Sequence, residues 1–273
     1  MVMQAGYLGF SPEFEELRAE LQSARERYAV LVEEYTHLTG VAAKNLESEY
    51  MLKLGKKEHE LYSCQVEILQ LKREISLYQA ARNRRESISH EAVKKIIEKE
   101  FAEYQKQIEE HKAKQEFAKA YLGGRTLSEE EMKALKKCYH GLVRKLHPDL
   151  NPCLPEEAAS LWNLVQIAYQ MNDWKELFLL AEMADEVLAG KKDFMDSINS
   201  LIRLQEELEK TNQKTAELRE QITETRKRIP FVYEKILNNP GTVSIKRHEL
   251  DLQINLCKER IKELTELRNG FGV

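Results

Sequence analysis

Turn-forming residues are scarce in this chain: 11 Gly and 6 Pro punctuate 273 residues. That is too little punctuation for a many-stranded sheet, which needs a turn every few residues. Cysteine is scarce as well. Cys64, Cys138, Cys153 and Cys257 stand far apart with no Cys-x-x-Cys pairing, which argues against a disulfide framework or a structural zinc site. No apolar run approaches the roughly 18 residues needed to span a bilayer, so no membrane partner is expected. Neither charge dominates: the net charge of −4 gives no general attraction to nucleic acid, which is not expected as a partner. Met1 to Phe10 lacks the basic flank and apolar stretch of a secretory signal. The expected location is the cytoplasm.

What remains is rich in helix formers. Charged residues make up 32% of the chain, with Glu, Lys, Leu, Gln and Ala prominent, so an all-α chain of long helices is expected. Ser11-Pro12-Glu13 has the pattern of a helix start. From there Leu17, Leu21, Ala24, Tyr28, Leu31, Tyr35 and Leu38 follow the 4-3 spacing of a coiled-coil seam. The seam falters at Gly40 and Gly55, which predicts a bend or short loop between 39 and 56, with the flanking segments folded back on each other. It resumes at Leu61, Cys64, Ile68, Leu71, Ile75 and Tyr78, and Val93, Ile97, Phe101, Tyr104 and Ile108 carry a helical stripe toward Gly123-Gly124. Near the C-terminus, Ile198, Leu201, Gln205, Leu208, Leu218, Ile222 and Ile229 mark another long helix, which Pro230 must kink or interrupt. Asn238-Asn239-Pro240-Gly241 is a turn signal, and Leu250, Ile254, Cys257, Ile261 and Leu264 resume the 4-3 spacing. The expected organisation is an N-terminal helical arm at 11–116, a central module at 117–190, and a C-terminal antiparallel hairpin at 191–273.

The central module has a different texture. Ser128-Glu129-Glu130-Glu131 reads as a capping box. On the helix that follows, Met132, Leu135, Tyr139, Leu142, Val143 and Leu146 share one face. Lys133, Lys137, His140 and Arg144 line the far side, flanked by Lys136 and Lys145, with no acidic residue from 132 to 147. Exposed helices usually mix charge signs, because like charges four apart repel, so this one-sided stripe predicts an acidic partner. The helix must stop at Leu146-His147, because Pro148 disfavours helical geometry in the residue before it. His147-Pro148-Asp149 then forms a turn. A partner helix over 156–171 carries Leu161, Leu164, Val165 and Ala168, with Trp162 and Tyr169 adjacent. Asn172-Asp173 caps a third helix, Trp174 to Leu188, whose Trp174, Leu177, Phe178 and Ala181 are expected to close the core.

Tyr139, His147-Pro148-Asp149 and Ala168-Tyr169 sit in an order and spacing that resembles the J-domain of Hsp40 (DnaJ-like) co-chaperones. The resemblance covers roughly residues 117–171. It implies that Phe117–Gly123 supplies the family's first helix. It also implies that His147, Pro148 and Asp149, with the basic helix residues Lys133, Lys136, Lys137, His140, Arg144 and Lys145, dock on a DnaK-type Hsp70 and stimulate its ATP hydrolysis. Where the family is commonly basic, this chain has His140, Gly141 and Leu150, and it has neither a glycine/phenylalanine-rich linker nor a zinc-binding cysteine repeat.

On this reading the chain is a co-chaperone or adaptor and no enzyme. It needs no metal or cofactor and has no catalytic residues of its own, since a turn at the end of a small hairpin offers no concave pocket for a His–Asp pair. The coiled-coil arms would bind a client or partner, and their heptads allow self-association into homo-oligomers. The alternative is a structural coiled-coil scaffold whose J-like module no longer activates Hsp70. His37, His59, His90, His111 and His248 lie along helical arms without metal-ligand spacing.

Overall fold

The computed structural model describes residues 11–123, 127–190 and 193–271, and the described residues form helices and turns with no strand. The all-α expectation holds. The expectations for Met1–Phe10, Gly124 and the 190/191 boundary fall partly or wholly outside the described residues. The long helices are α1 (Pro12–His37), α3 (Lys56–Arg84), α5 (Ala102–Gly123), α9 (Leu201–Arg226) and α11 (Pro240–Asn269). The shorter ones are α2 (Ala43–Tyr50), α4 (His90–Glu100), α6 (Glu129–Leu146), α7 (Glu156–Gln170), α8 (Trp174–Leu188) and α10 (Glu234–Leu237). No described helix is long and apolar enough to cross a membrane.

The breaks lie at the expected glycines but differ in kind. Instead of a loop, two π-helical turns, Leu38–Ala42 and Met51–Gly55, flank α2. A π-turn absorbs an extra residue without ending the helix, so the seam shifts register at each glycine. Gly40 is needed for closeness: a Cβ on it would lie 2.8 Å from Gln170 Cγ. Phe101, with φ −106° and ψ 9°, separates α4 from α5. Pro230 interrupts as expected: α9 stops at Arg226 and a 3-10 turn, Phe231–Tyr233, follows. Asn239 caps α11, accepting from Thr242 N–H at 3.2 Å, with Pro240 in the first turn.

Contacts gather the chain into two compact units, each drawing on two separated segments: Met1–Lys44 with Thr126–Phe231, and Asn45–Arg125 with Val232–Val273. In the first, α9 packs along α1, and Phe14, Leu21, Phe194, Met195, Ile198 and Leu204 form a core between them. In the second, α11 packs along α3. Each of these two seams is met by a helix from the opposite half of the chain. The second unit has two further cores. Val66, Tyr78, Val93, Ile97 and Phe101 form one, and Tyr50, Leu54 and Leu237 the other. Tyr104, expected on the first stripe, is largely exposed.

Candidate functional site: the His-Pro-Asp loop

Helix α6 begins where its capping box requires. Ser128 Oγ accepts from Glu131 N–H at 3.2 Å, and Glu131 Oε2 accepts from Ser128 N–H at 2.8 Å. Of its predicted apolar face, Leu135, Tyr139, Leu142, Val143 and Leu146 are buried and Met132 is half-buried. In α7, Leu161, Trp162, Val165, Ala168 and Tyr169 are buried. Leu164 instead lies outside that buried face and is exposed. In α8, Leu177, Leu180 and Ala184 are buried, while the expected Phe178 is exposed. Tyr139 stacks on Tyr169 with ring centroids 3.9 Å apart and planes 14° apart, and Trp162 lies 5.9 Å from Tyr139.

The layer expected from Phe117–Gly123 comes from elsewhere. Those residues belong to α5, which packs on α3 and α4 in the second unit, whereas α1 lies against α6 and α7. Ala29, Val32 and Thr36 of α1 are buried on that side. The Tyr139 hydroxyl donates to Thr36 Oγ1 at 3.0 Å, and Thr36 in turn donates to Val32 O. Helix α1 thus has two working faces, one for α9 and one for α6.

Pro148 ends α6 as predicted, with His147 held extended at φ −67° and ψ 126°. The loop closes on itself: the His147 carbonyl accepts from Leu150 and Asn151 N–H at 3.0 and 2.9 Å. His147 Nδ1 accepts from Asp149 N–H at 3.1 Å, which assigns the neutral ring its proton on Nε2. The His147 ring packs edge-on between Trp162 and Tyr28, at 5.1 and 5.6 Å. Burial there lowers its pKa to about 4, so the imidazole is uncharged at neutral pH.

Asp149 is clamped by two helices. Its Oδ2 accepts from the Tyr28 hydroxyl of α1 at 2.5 Å, and its Oδ1 from Lys214 Nζ of α9. Burial pushes the Asp149 carboxyl up, but the hydrogen bonds from Lys214 and Tyr28 outweigh it and hold the group below its ordinary value. Burial, then that same bond to Asp149, raises the Tyr28 phenol. One residue on, the Arg25 guanidinium donates to the Leu150 carbonyl. Pro148 alone of the tripeptide is exposed.

The basic residues divide into two groups. Lys133 and Lys137 face solvent. His140 and Arg144 meet α1 instead: His140 Nε2 lies 2.8 Å from Glu26 and Nδ1 3.3 Å from Glu33, and Arg144 lies 3.2 Å from Glu26. Glu33 also faces Lys136, yet burial keeps its pKa raised. Lys145 pairs with Asp185 of α8. An acidic face that answers much of the stripe is therefore already present within the chain.

A cleft of about 580 Å³ lies beside the loop, lined by Arg25, Arg144, Leu150, Asn151, Cys153 and Phe194 among others. The loop is thus less flat in its surroundings than the sequence implies, although neither His147 nor Asp149 lines the cleft. The periodicity places Tyr28 in the α1 seam without indicating its role. The usable signal was its hydroxyl, which must find a partner once buried. Arg25, Glu26, Glu33 and Lys214 carried no signal, since each reads as an ordinary exposed helix residue. The four cysteines are free, and among the described residues no group of three His, Cys, Asp or Glu could hold a metal ion. Comparison with protein-family models, with curated proteins and with solved structures finds no match to this chain.

Proposed function

We propose that this chain is a co-chaperone or adaptor that engages a DnaK-type Hsp70 through the His147-Pro148-Asp149 loop and the basic helix α6. The observation that carries the reading is the tripeptide's setting. It sits at the tip of an α6–α7 hairpin, after a helix that exposes Lys133 and Lys137 and has no acid after its first turn. The exposed Pro148 ring and the lysines offer a shape and a charge that an acidic protein surface would complement. ATP hydrolysis would be the partner's chemistry, and this chain would supply only binding energy. The long helices α1, α3, α9 and α11 would serve as coiled-coil arms for a client or partner.

Single-turnover ATP hydrolysis by a DnaK-type Hsp70 tests this, with the wild-type chain, His147→Gln and Asp149→Asn. The expected result is acceleration by the wild type at saturating concentration and loss of it in both variants. No acceleration at any concentration, by the wild type or by a variant whose loop is released from its neighbouring helices, sinks the reading. A second reading, a scaffold in which the hairpin is only a folded connector, is favoured by one feature: both Asp149 oxygens are already bound by Tyr28 and Lys214. Variants that match an active wild type would also count against the tripeptide.

A further inference from the structure

We propose that α1 and α9 form an autoinhibitory clasp on the His-Pro-Asp loop; the inference rests on the docking role given to that loop above. The clasp is built from side chains distant in sequence, none of them in the hairpin. Tyr28 and Lys214 take the two carboxylate oxygens of Asp149, the atoms the loop would otherwise offer to a partner's cations. Tyr28 also closes one edge of the His147 ring. Arg25 ties down the backbone just after the tripeptide, at Leu150 O. Glu26 and Glu33 engage His140, and Glu26 also pairs with Arg144, so one end of the basic stripe is covered. The loop already closes through His147 O and Nδ1, so these contacts are a second hold on it, supplied by other helices.

The clasp is suited to opening. Lys214 and Asp149 are each about one-third exposed, at 30% and 34%, and Arg144 and Glu26 at 50% and 44%. Contacts this accessible to water are individually weak and screened by salt. Release therefore needs only that these polar contacts at the loop break, while the apolar packing of α1 on α6 and α9 stays in place. Stimulation by the closed chain is reduced by the fraction of molecules that are closed. Binding of a client to the arm would raise it without touching the loop.

The test uses the full chain with Tyr28→Phe and Lys214→Ala combined, and Lys214→Arg as the variant that keeps the cation. Two measurements are made: amide hydrogen exchange at Asp149, Leu150 and Asn151, and the concentration giving half-maximal Hsp70 single-turnover hydrolysis. The double variant should exchange faster at all three amides and reach half-maximal stimulation at about tenfold lower concentration. Lys214→Arg should stay near wild type in both, and an unchanged helical circular dichroism signal in the double variant shows that the effect is not general unfolding. Adding His147→Gln should abolish the gain. Unchanged exchange in the double variant overturns the clasp. So does wild-type stimulation equal to that of the double variant, and in that case the docking role itself survives. Faster exchange with no stimulation by either chain removes the docking role, and with it any inhibitory meaning of the contact.

Discussion

Tyr139 and Tyr169 stack face to face in one core, yet their hydroxyls have different fates. Tyr139 donates to Thr36, whereas the buried Tyr169 hydroxyl has no hydrogen-bond partner among the described residues. Removing a satisfied buried hydroxyl strands its partner, and removing an unsatisfied one relieves a desolvation cost. Tyr139→Phe should therefore lower stability by about 1 kcal/mol, while Tyr169→Phe should leave it unchanged or raised. Urea unfolding followed by helical circular dichroism separates the two, and an equal loss in both variants would contradict the assignment. His147 makes the second residue-scale prediction. Its folded pKa of about 4 lies below the ordinary imidazole value near 6.5. The fold thus favours the neutral ring, so its contribution is complete above pH 6.5 and is lost as pH falls toward 4. His147→Gln should flatten the fall in thermal midpoint across that window, although His37, also lowered by burial, leaves a residual slope.

At the scale of elements, the sequence was most readable where the deciding interactions are local. The bounds of α6 follow from a capping box at one end and a proline at the other, both acting within four residues. The same holds for the Asp173 and Asn239 caps. The π-turns were legible only as faltering at Gly40 and Gly55, because a register shift and a loop disturb a heptad pattern alike. Leu164 and Phe178 were misplaced because periodicity gives a face but does not choose between neighbouring apolar residues at its edge. Helix α6 also carries a glycine without a packing reason: a Cβ at Gly141 would meet nothing within 4 Å. Gly141→Ala should therefore stabilise the chain by up to about 1 kcal/mol through helix propensity. A lower thermal midpoint would show that the open space beside α6 is not free to be filled.

For the whole molecule, partner choice among long helices is the decisive matter. Leu204 of α9 is fully buried in the core that α1 forms with Phe194, Met195 and Ile198. Leu204→Ala should cost roughly 2–5 kcal/mol and act on one unit. Amide exchange should rise through α1, α6 and α9 while α3 and α11 keep their protection. Equal loss in both sets of helices would mean that the two units unfold as one. The candidate site shows the same dependence on long-range packing. His147, Pro148, Asp149 and the basic stripe were all legible, because proline chemistry and charge pattern are written in adjacent residues. Tyr28, Arg25, Glu26, Glu33 and Lys214 were not, because what matters about them is which helix they face.

Backbone sterics, capping and periodicity within a few residues set an all-α chain, the ends of its central helices and the position of the His-Pro-Asp turn. Only the tertiary structure decided that α1 lies with α9 and α3 with α11, and that α1 rather than 117–123 completes the hairpin's core. Heptad seams are generic apolar stripes that accept many partners. The choice is made by shape and charge across more than a hundred residues of chain, and through it the Asp149 carboxylate meets Tyr28 and Lys214.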